Sequence, residues 1–398
     1  MIFDDFTITR LPRIVYGAGR LQELPGLISQ YGRHVLLVTG ARALRQSPHW
    51  EALTDGLTQH GIHWDHVVVS GEPSPELVDE TVARYAGASI DLVAAIGGGS
   101  VLDAAKAMAG LLPHGNSVLD HLEGVGKGIE YRGPALPFIA VPTTAGTGSE
   151  ATKNAVLSRQ GPEGFKKSFR HECLVPEYAL IDPELLASCP APLIAADGMD
   201  AFTQLLESYV SSKANPFTDA LAWSGMTAVK QGFFDAWRGA PAPQAEAGRC
   251  AMAYAALLSG ITLAQVGLGS VHGLASPLGA FFPIPHGVVC GTLVAAATQV
   301  NIRALQQREP GHPALTKYAQ VGRLLSERPE ADDHQAHAAL VALLDDWSET
   351  LELPRLSAYG IGAGDLDKIV AHSRGSSMQT NPLVLTDAEI RDILQQRL

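Results

Sequence analysis

Basic residues and cysteines are scarce in this chain of 398 residues. Lys and Arg total 29 against 41 Asp and Glu, which gives a net charge of −12 at pH 7. This surplus of acid argues against a general nucleic-acid-binding protein, which presents a basic face to phosphates. The four cysteines (Cys173, Cys189, Cys250 and Cys290) are scattered and include no CxxC pair. That pattern predicts free thiols in a reducing cytoplasm rather than a disulfide framework.

Long apolar runs are also absent. No stretch reaches the roughly 18 consecutive apolar residues that span a bilayer. Residues 1–5 lack the basic and apolar regions of a secretory signal. The chain is 46% apolar, an ordinary value for a globular protein, which argues against wholesale disorder. We therefore expect a cytoplasmic enzyme that acts on a small molecule, without a membrane or nucleic-acid partner.

The two halves of the chain differ in their hydrophobic patterns. In the first half, apolar runs typical of strands buried on both faces alternate with amphipathic helical segments. The runs are 34–39, 66–69, 91–96 and 137–141, and the helical segments include 76–87 and 101–112. The second half is rich in Ala and Leu at helical spacing, over 195–213, 216–237, 244–267, 288–305, 312–326 and 332–350. We predict an α/β domain with a parallel sheet over 1–190 and a helical domain over 191–398.

Three consecutive glycines follow the run 91–96. Gly97, Gly98, Gly99 and Ser100 connect it to the next helical segment. Glycines at this place let the backbone approach a phosphate closely, and the free N–H groups and dipole of the helix favour the negative charge. The alternative interpretation is a tight turn in which Ser100 caps the helix and Asp103 completes a capping box.

A second polar loop follows the run 137–141. Residues 142–150 have the sequence PTTAGTGSE, which places Thr143, Thr144 and Thr147 among glycines. Their hydroxyl and N–H groups can hold a ribose, a phosphate or a nicotinamide amide. An ordinary Ser/Thr-rich turn is the alternative. Two such loops after successive buried strands favour a nucleotide site, because α/β folds bind ligands at the carboxyl ends of their strands.

Carboxylate and imidazole groups occur in three separate segments of the helical half. Asp200 and Gln204 are four residues apart and project from one face of a helix. His272 and His286 lie far along the chain, next to glycines. An Asp and two His from separate segments can bind one divalent metal with an open position, as in catalytic sites. The chain has 14 histidines, and spacing alone favours ordinary structural histidines instead.

Taken together, these segments resemble the iron-containing (group III) alcohol dehydrogenase family nearly from end to end. The similarity is carried by residues 14–19, Gly97–Ser100 with Asp103 and Lys106, 143–150, 181–183, 198–201, 272–286 and 380–382. It implies a Rossmann-like dinucleotide-binding domain and an all-helical domain, an architecture shared with dehydroquinate synthase. In the cleft between them, a metal would polarise the carbonyl of a small aldehyde or ketone while a nicotinamide delivers hydride.

The resemblance implies roles for individual residues. The residues that match cofactor-binding positions are Gly97, Gly98, Gly99, Ser100, Asp103, Thr143, Thr144, Thr147 and Lys167. Asp200, His272 and His286 match three of the four metal ligands, while the fourth, usually His, is Gln204. A Gln amide oxygen is a poorer ligand than imidazole for a first-row transition metal, but three ligands plus water still make a catalytic zinc-type site. We therefore expect Fe²⁺ or Zn²⁺ on Asp200, His272 and His286, with Gln204 beside them.

The sequence does not identify the proton donor. Many members of the family carry a histidine near the substrate where this chain has Ser276. Metal-bound water, Ser276 and a cofactor ribose hydroxyl are all candidates. Three other functions also stay open: a dehydroquinate-synthase-like lyase that uses NAD transiently, a catalytically impaired binding protein, and a helical scaffold. The scaffold leaves both strand-end loops unexplained, and the threonine-rich loop favours the dehydrogenase over the lyase.

The choice of nucleotide is expected to depend on the end of the first predicted strand. Dinucleotide-binding sheets commonly place an acidic residue at such a position, where it binds the ribose hydroxyls and repels the extra phosphate of NADP. This chain has Gly40 there, followed by Arg42 and Arg45. We therefore favour NADP over NAD; the alternative is that both arginines point into solvent and Gly40 is only a turn residue. Family members associate through N-terminal strands, and the β-rich residues 6–9 predict a dimer or a larger oligomer.

Overall fold

A six-stranded parallel sheet forms the first half of the part of the chain that the structure describes. The structure is a computed structural model and describes residues 5–239 and 243–398. Residues 1–4 lie outside these ranges, and so does most of the N-terminal segment on which the expectation about a secretory signal was based. The strands of the sheet are β1 (Arg13–Tyr16), β2 (His34–Gly40), β3 (His63–Val69), β4 (Leu92–Gly97), β5 (Phe138–Pro142) and β8 (Tyr178–Ile181). They lie in the order β1-β8-β5-β4-β2-β3.

Four of these strands, β2 to β5, match the four apolar runs, so the prediction of a parallel α/β sheet is confirmed. The short strands β1 and β8 were not predicted as strands. An antiparallel pair, β6 (Asn154–Arg159) and β7 (Phe165–Arg170), was also missed. β7 reads FKKSFR and lacks the apolar run of a buried strand. Residues 6–9, which are β-rich in composition, lie in no strand of the described chain.

Helices cover both faces of the sheet. They are α1 (Leu24–Ile28), α2 (Pro48–Gln59), α3 (Pro75–Arg84) and α4 (Gly99–Leu111). Alternate residues of one strand belong to different cores: Leu36 and Val38 pack with α3 and α4, whereas Val35 and Leu37 pack with α1 and α2. Because both faces of such a strand are buried, consecutive residues along it are apolar, which explains the continuous apolar runs.

The second half of the described chain is helical and has its own large apolar core. Its helices are α5 (Ala191–Val210), α6 (Pro216–Arg238), α7 (Pro243–Val266), α8 (Ser270–Phe281), α9 (His286–Arg308), α10 (Pro313–Ser326), α11 (Asp333–Thr350), α12 (Leu366–His372) and α13 (Asp387–Gln395). All six predicted helical segments are present. α8 was missed because its glycines and the internal Pro277 have low helix propensity, which packing overrides here.

Two helices of this bundle, α7 and α9, are long and apolar enough to cross a membrane. Within the protein, however, 61% of the apolar window of α7 and 89% of that of α9 are buried. Both contribute side chains to the main helical core. We therefore interpret them as core helices, whose apolar character serves packing.

A buried lysine ties α4 to the loop that follows β5. The Lys106 ammonium donates to the Ser149 carbonyl at 2.7 Å, to the Thr152 hydroxyl at 2.9 Å and to the Asn154 carbonyl at 2.9 Å. On the same helix, Asp103 accepts from the Ser149 hydroxyl at 2.5 Å and from the backbone N–H of Val156 at 3.1 Å. Residues 149–156 are thus held against α4 by charged groups.

We expect replacement of Lys106 by Met to destabilise the fold by roughly 2–4 kcal/mol, because two carbonyls and the Asp103 carboxylate lose their buried partner. Urea unfolding measures the change in the free energy of unfolding. Lys127→Met is the matched control, since the Lys127 side chain is 72% exposed in its ion pair with Asp120. Equal unfolding midpoints for the two variants would contradict this interpretation.

Candidate metal and nucleotide site

The two polar loops lie side by side at the carboxyl ends of neighbouring strands. Gly97 of β4 is paired with Pro142 of β5. The backbone N–H of Thr143 then donates to the Gly97 carbonyl at 3.0 Å. Because both loops leave the sheet at the same level, a ligand at this edge meets both of them.

Gly97 and Gly99 leave no room for a side chain, and Gly98 leaves little. A Cβ on Gly97 would lie 2.5 Å from Val101, and a Cβ on Gly99 would lie 2.6 Å from Thr147. At Gly98 the Thr144 side chain would be 3.2 Å away. The glycine loop therefore packs directly against the threonine loop, and larger residues would push the loops apart.

The structure corrects the capping interpretation of this loop. α4 begins at Gly99 with Gly98 as its N-cap, and no side chain caps the helix. Ser100 therefore lies inside the first turn and is not the N-cap. Asp103 binds Ser149 and Val156 instead of completing a capping box. The N-terminus of α4 is left without a side-chain acceptor, as a phosphate site requires.

The other residues predicted to bind cofactor lie at different distances from these loops. Gly40 ends β2, the neighbour of β4, and a Cβ there would lie 3.7 Å from the Val101 side chain, so the position has space. Arg42 is exposed in the following loop. Lys167 lies on β7, near Gly124, with its Nζ 4.0 Å from the Cβ that a side chain at Gly124 would add. No contact described here brings Lys167 to the glycine or threonine loop.

The helical half brings four potential metal ligands together. Asp200 of α5, His272 of α8, and His286 and Cys290 of α9 have donor atoms that all lie within 4.8 Å of one another. The Asp200 Oδ1 is 3.1 Å from the His272 Nε2 and 3.8 Å from the His286 Nε2. The predicted convergence of one Asp and two His is therefore present. Cys290 was not predicted to take part.

A second carboxylate orients His272. The Glu207 Oε2 lies 2.7 Å from the His272 Nδ1, and the Glu207 Oε1 accepts from the backbone N–H of Val271 at 2.7 Å. With a proton on Nδ1, the Nε2 lone pair is available to a metal, an arrangement that is common around metal-bound histidines. Glu207 follows Asp200 by seven residues, two turns along the same helix face, and this spacing was the signal available in the sequence.

The electrostatics of the cluster fit a divalent cation. Burial opposes charge on Asp200, but His286, His272 and Cys290 outweigh it and lower the pKa of Asp200 to about 2. Burial lowers the pKa of His286 to about 4, so its imidazole is neutral at neutral pH, the form that binds metals. Burial opposes protonation of His272 as well, yet Cys290, Asp200 and Glu207 raise its pKa well above the usual value. A metal at Nε2 would replace that proton.

Gln204 and Ser276 both have protein partners. The buried Gln204 Oε1 accepts from the Ser259 hydroxyl at 2.7 Å. The Ser276 hydroxyl, one turn after His272, donates to the Lys166 carbonyl at 3.1 Å. Metal ligation by Gln204 and proton donation by Ser276 stay predictions.

Asp197 connects the metal cluster to the threonine loop and was not predicted. It precedes Asp200 by one turn of α5 and would lie 2.8 Å from a Cβ on Gly146 of the threonine loop. Burial and the nearby Asp200 charge raise the pKa of Asp197 to about 7. The group formed by Asp200, His272, His286 and Cys290 is therefore connected through α5 to the threonine loop.

Comparison with known proteins agrees with this geometry. Residues 12–183 match the iron-containing alcohol dehydrogenase family, and residues 194–398 match the C-terminal part of the Fe-containing alcohol dehydrogenase family. The chain is 28% identical to an NAD-dependent methanol dehydrogenase of Bacillus methanolicus, over 97% of this chain and 98% of that protein. It is 29% identical to an NADPH-dependent butanol dehydrogenase of Clostridium saccharobutylicum, over 97% and 96%.

A solved structure shares the whole fold. An archaeal halo-thermophilic alcohol dehydrogenase from a Red Sea brine pool superposes with a TM-score of 0.90 at 25% identity and full coverage of both chains. These relatives give no support to the lyase, the impaired binding protein or the scaffold. The chain belongs to the iron-containing alcohol dehydrogenase family and is an NAD(P)-dependent alcohol oxidoreductase.

Proposed function

We propose that this enzyme interconverts small aldehydes or ketones and their alcohols at the site bordered by Asp200, His272, His286 and the two strand-end loops. The observation that carries the proposal is the close packing of Asp197, one turn before Asp200 on α5, against Gly146 of the threonine loop, where an added Cβ would lie 2.8 Å from Asp197. A divalent metal bound there supplies a Lewis acid for the substrate oxygen, and the nicotinamide supplies or accepts hydride.

The chain's own residues position these groups. The N-terminal turn of α4, with Gly97, Gly98, Gly99 and Ser100, is proposed to hold the pyrophosphate, because its N–H groups have no side-chain cap. Thr143, Thr144 and Thr147 are proposed to contact the ribose and nicotinamide side. Asp103 acts indirectly, by holding the Ser149 end of the threonine loop. Lys167 and Ser276 are kept as candidates for cofactor and substrate contacts.

His286→Ala tests this assignment. Purified protein is screened with short aldehydes and with NADH and NADPH, with and without added Fe²⁺ or Zn²⁺. We expect aldehyde-dependent oxidation of reduced nucleotide by the wild type, and loss of both activity and bound metal in His286→Ala. His334→Ala, at an exposed histidine of α11, is the matched control. Full activity and metal content in the His286 variant would refute the assignment.

The nucleotide preference is proposed to depend on Gly40 and Arg42. The two relatives described above differ in the nucleotide they are named for, so membership in the family leaves the choice open. Open space at Gly40 accommodates the 2′-phosphate of NADP, and Arg42 or Arg45 can pair with it. An aspartate in place of Gly40 would instead repel this phosphate and bind the ribose hydroxyls.

We expect the wild type to prefer NADPH, and Gly40→Asp to shift the ratio of kcat/KM toward NADH by roughly tenfold to a hundredfold, the effect of one charge-assisted contact. Arg42→Ala should lower kcat/KM for NADPH and leave that for NADH unchanged. A tenfold or greater preference for NADH in the wild type that Gly40→Asp leaves unchanged would exclude this loop as the determinant.

The domain organisation and assembly are also proposed. Residues 1–190 and 191–398 are proposed to be the two domains of a cytoplasmic enzyme, with the site between them. β1 is an edge strand of the sheet and exposes Ile14 and Tyr16. An edge with exposed apolar side chains can pair with another subunit, so we propose a dimer or a larger oligomer.

Light scattering at micromolar concentration should therefore give at least twice the mass of one chain. Ile14→Lys should shift the population toward monomer, because a charge on the edge strand opposes pairing. Val384→Lys is the control, since Val384 is an equally apolar residue that is 79% exposed and lies away from the sheet. A monomeric wild type would rule out the oligomer.

A further inference from the structure

Cys290 lies inside the metal cluster, although cysteine was not among the expected ligands. It follows His286 by four residues on α9, so both side chains project from the same face of this helix. Cys290 is fully buried and is not part of a disulfide. Its Sγ lies 3.6 Å from the His272 Nε2 and 3.9 Å from the His286 Nε2, and it lies within 4.8 Å of a carboxylate oxygen of Asp200. Every polar contact of the thiol described here is with a proposed ligand.

These separations match a tetrahedral site. With bonds of about 2.0 Å to nitrogen or oxygen and about 2.3 Å to sulfur, a tetrahedral ion holds nitrogen and sulfur roughly 3.5 Å apart and nitrogen and oxygen roughly 3.3 Å apart. The observed sulfur–nitrogen distances are 3.6 and 3.9 Å. The distances from the Asp200 Oδ1 to the two imidazoles are 3.1 and 3.8 Å. These four separations are close to the edges of a tetrahedral site, and all pairs of the four donor atoms lie within 4.8 Å of one another.

Gln204 is less well placed to supply the fourth bond. Its amide oxygen already accepts from the Ser259 hydroxyl at 2.7 Å. The Ser259 hydroxyl also lies 2.8 Å from the Ala256 carbonyl and 3.4 Å from the Gly146 carbonyl, so it has more than one acceptor. A metal bond to Gln204 would compete with this contact, for which the Ser259 hydroxyl has the Ala256 carbonyl as a replacement acceptor. A thiolate is, in addition, a far stronger ligand for zinc than a neutral amide oxygen.

We propose that Cys290 is the fourth protein ligand of the metal, which gives an Asp200–His272–His286–Cys290 set that selects Zn²⁺ over Fe²⁺; the substrate oxygen would then take a fifth position, an expansion that catalytic zinc sites allow. The inference rests on the proposed metal site and deepens it by naming the metal. Sulfur and imidazole ligands in a tetrahedral arrangement are typical of zinc, whereas an all-nitrogen and oxygen set suits iron as well. On binding, the S–H bond of Cys290 breaks, a metal–sulfur bond forms, and the proton leaves to water; no atom changes its oxidation state.

Cobalt substitution tests the sulfur bond directly and does not depend on activity. Apoprotein is loaded with Co²⁺ alone, and absorbance is recorded in the near ultraviolet, where a thiolate bonded to cobalt gives a charge-transfer band. We expect the band in the wild type and in Gln204→Ala, and its loss in Cys290→Ser and Cys290→Ala. Cys250→Ser, at a half-buried cysteine of α7, is the matched control and should retain the band.

Metal competition tests the selectivity. Apoprotein is dialysed without oxygen against equal Zn²⁺ and Fe²⁺, and the bound metals are counted by mass spectrometry. We expect a larger ratio of bound zinc to bound iron in the wild type than in Cys290→Ser; an equal ratio in the two proteins would contradict selection by Cys290, because zinc binds more tightly than Fe²⁺ at most sites even without sulfur. Zn²⁺ affinity should fall by roughly a hundredfold or more in Cys290→Ser, beyond the usual cost of losing a ligand's hydrogen-bond partner. Circular dichroism checks folding; if Cys290→Ala fails to fold, the wild-type cobalt spectrum and Cys290→Ser decide.

The outcomes separate this inference from the proposed function. In one outcome, the wild type binds metal and His286→Ala does not, but the wild type gives no thiolate band and binds Zn²⁺ no more tightly than Cys290→Ser. Only the role of Cys290 is then wrong. If the wild type binds no metal, or if His286→Ala binds metal as tightly as the wild type, both the metal assignment and the role of Cys290 are wrong.

Discussion

The buried ammonium of Lys106 is the interaction on which the arrangement of the site depends. A charged group with no exposed surface requires oxygen partners, and they come from Ser149, Thr152 and Asn154. This requirement fixes the chain that leaves β5 against α4, whose first turn carries the glycine loop. In the same loop, Gly148 has a φ of +61° and lies so close to Gly260 of α7 that a Cβ would be 2.4 Å away. The loop thus packs against the sheet half and the helical half at once.

The metal cluster shows how buried charges are balanced around α5. Asp200 and Glu207 lie two turns apart on this helix, and His272 lies between them with one ring nitrogen toward each carboxylate. Burying two carboxylates is costly unless positive charge or hydrogen bonds compensate them. His272 compensates both, and a bound cation would compensate Asp200 further. The same carboxylates therefore connect α8 to α5 and also border the proposed metal site.

Much of the fold was predictable because burial on both faces leaves a distinct pattern. Strands β2 to β5 are continuous apolar runs, and the longer bundle helices repeat Ala and Leu at helical spacing. The elements that the sequence did not predict also have physical explanations. β1 is short and lies at an edge, β7 is half-exposed and carries two lysines, and α8 contains Pro277 and several glycines. In each of these elements, contacts with residues distant in the sequence override the low local propensity and set the conformation.

The sequence by itself determined the chemistry available to this protein: two glycine- and threonine-rich loops after buried strands, and an Asp and two His in helical segments. Its resemblance to a known family assigned those residues to a nucleotide and a metal. Only the tertiary structure decided which side chains meet. Glu207 reaches His272 across 65 positions, and Cys290 reaches it across 18. Such contacts depend on how α5, α8 and α9 cross, and the packing of the whole helical core sets these crossings.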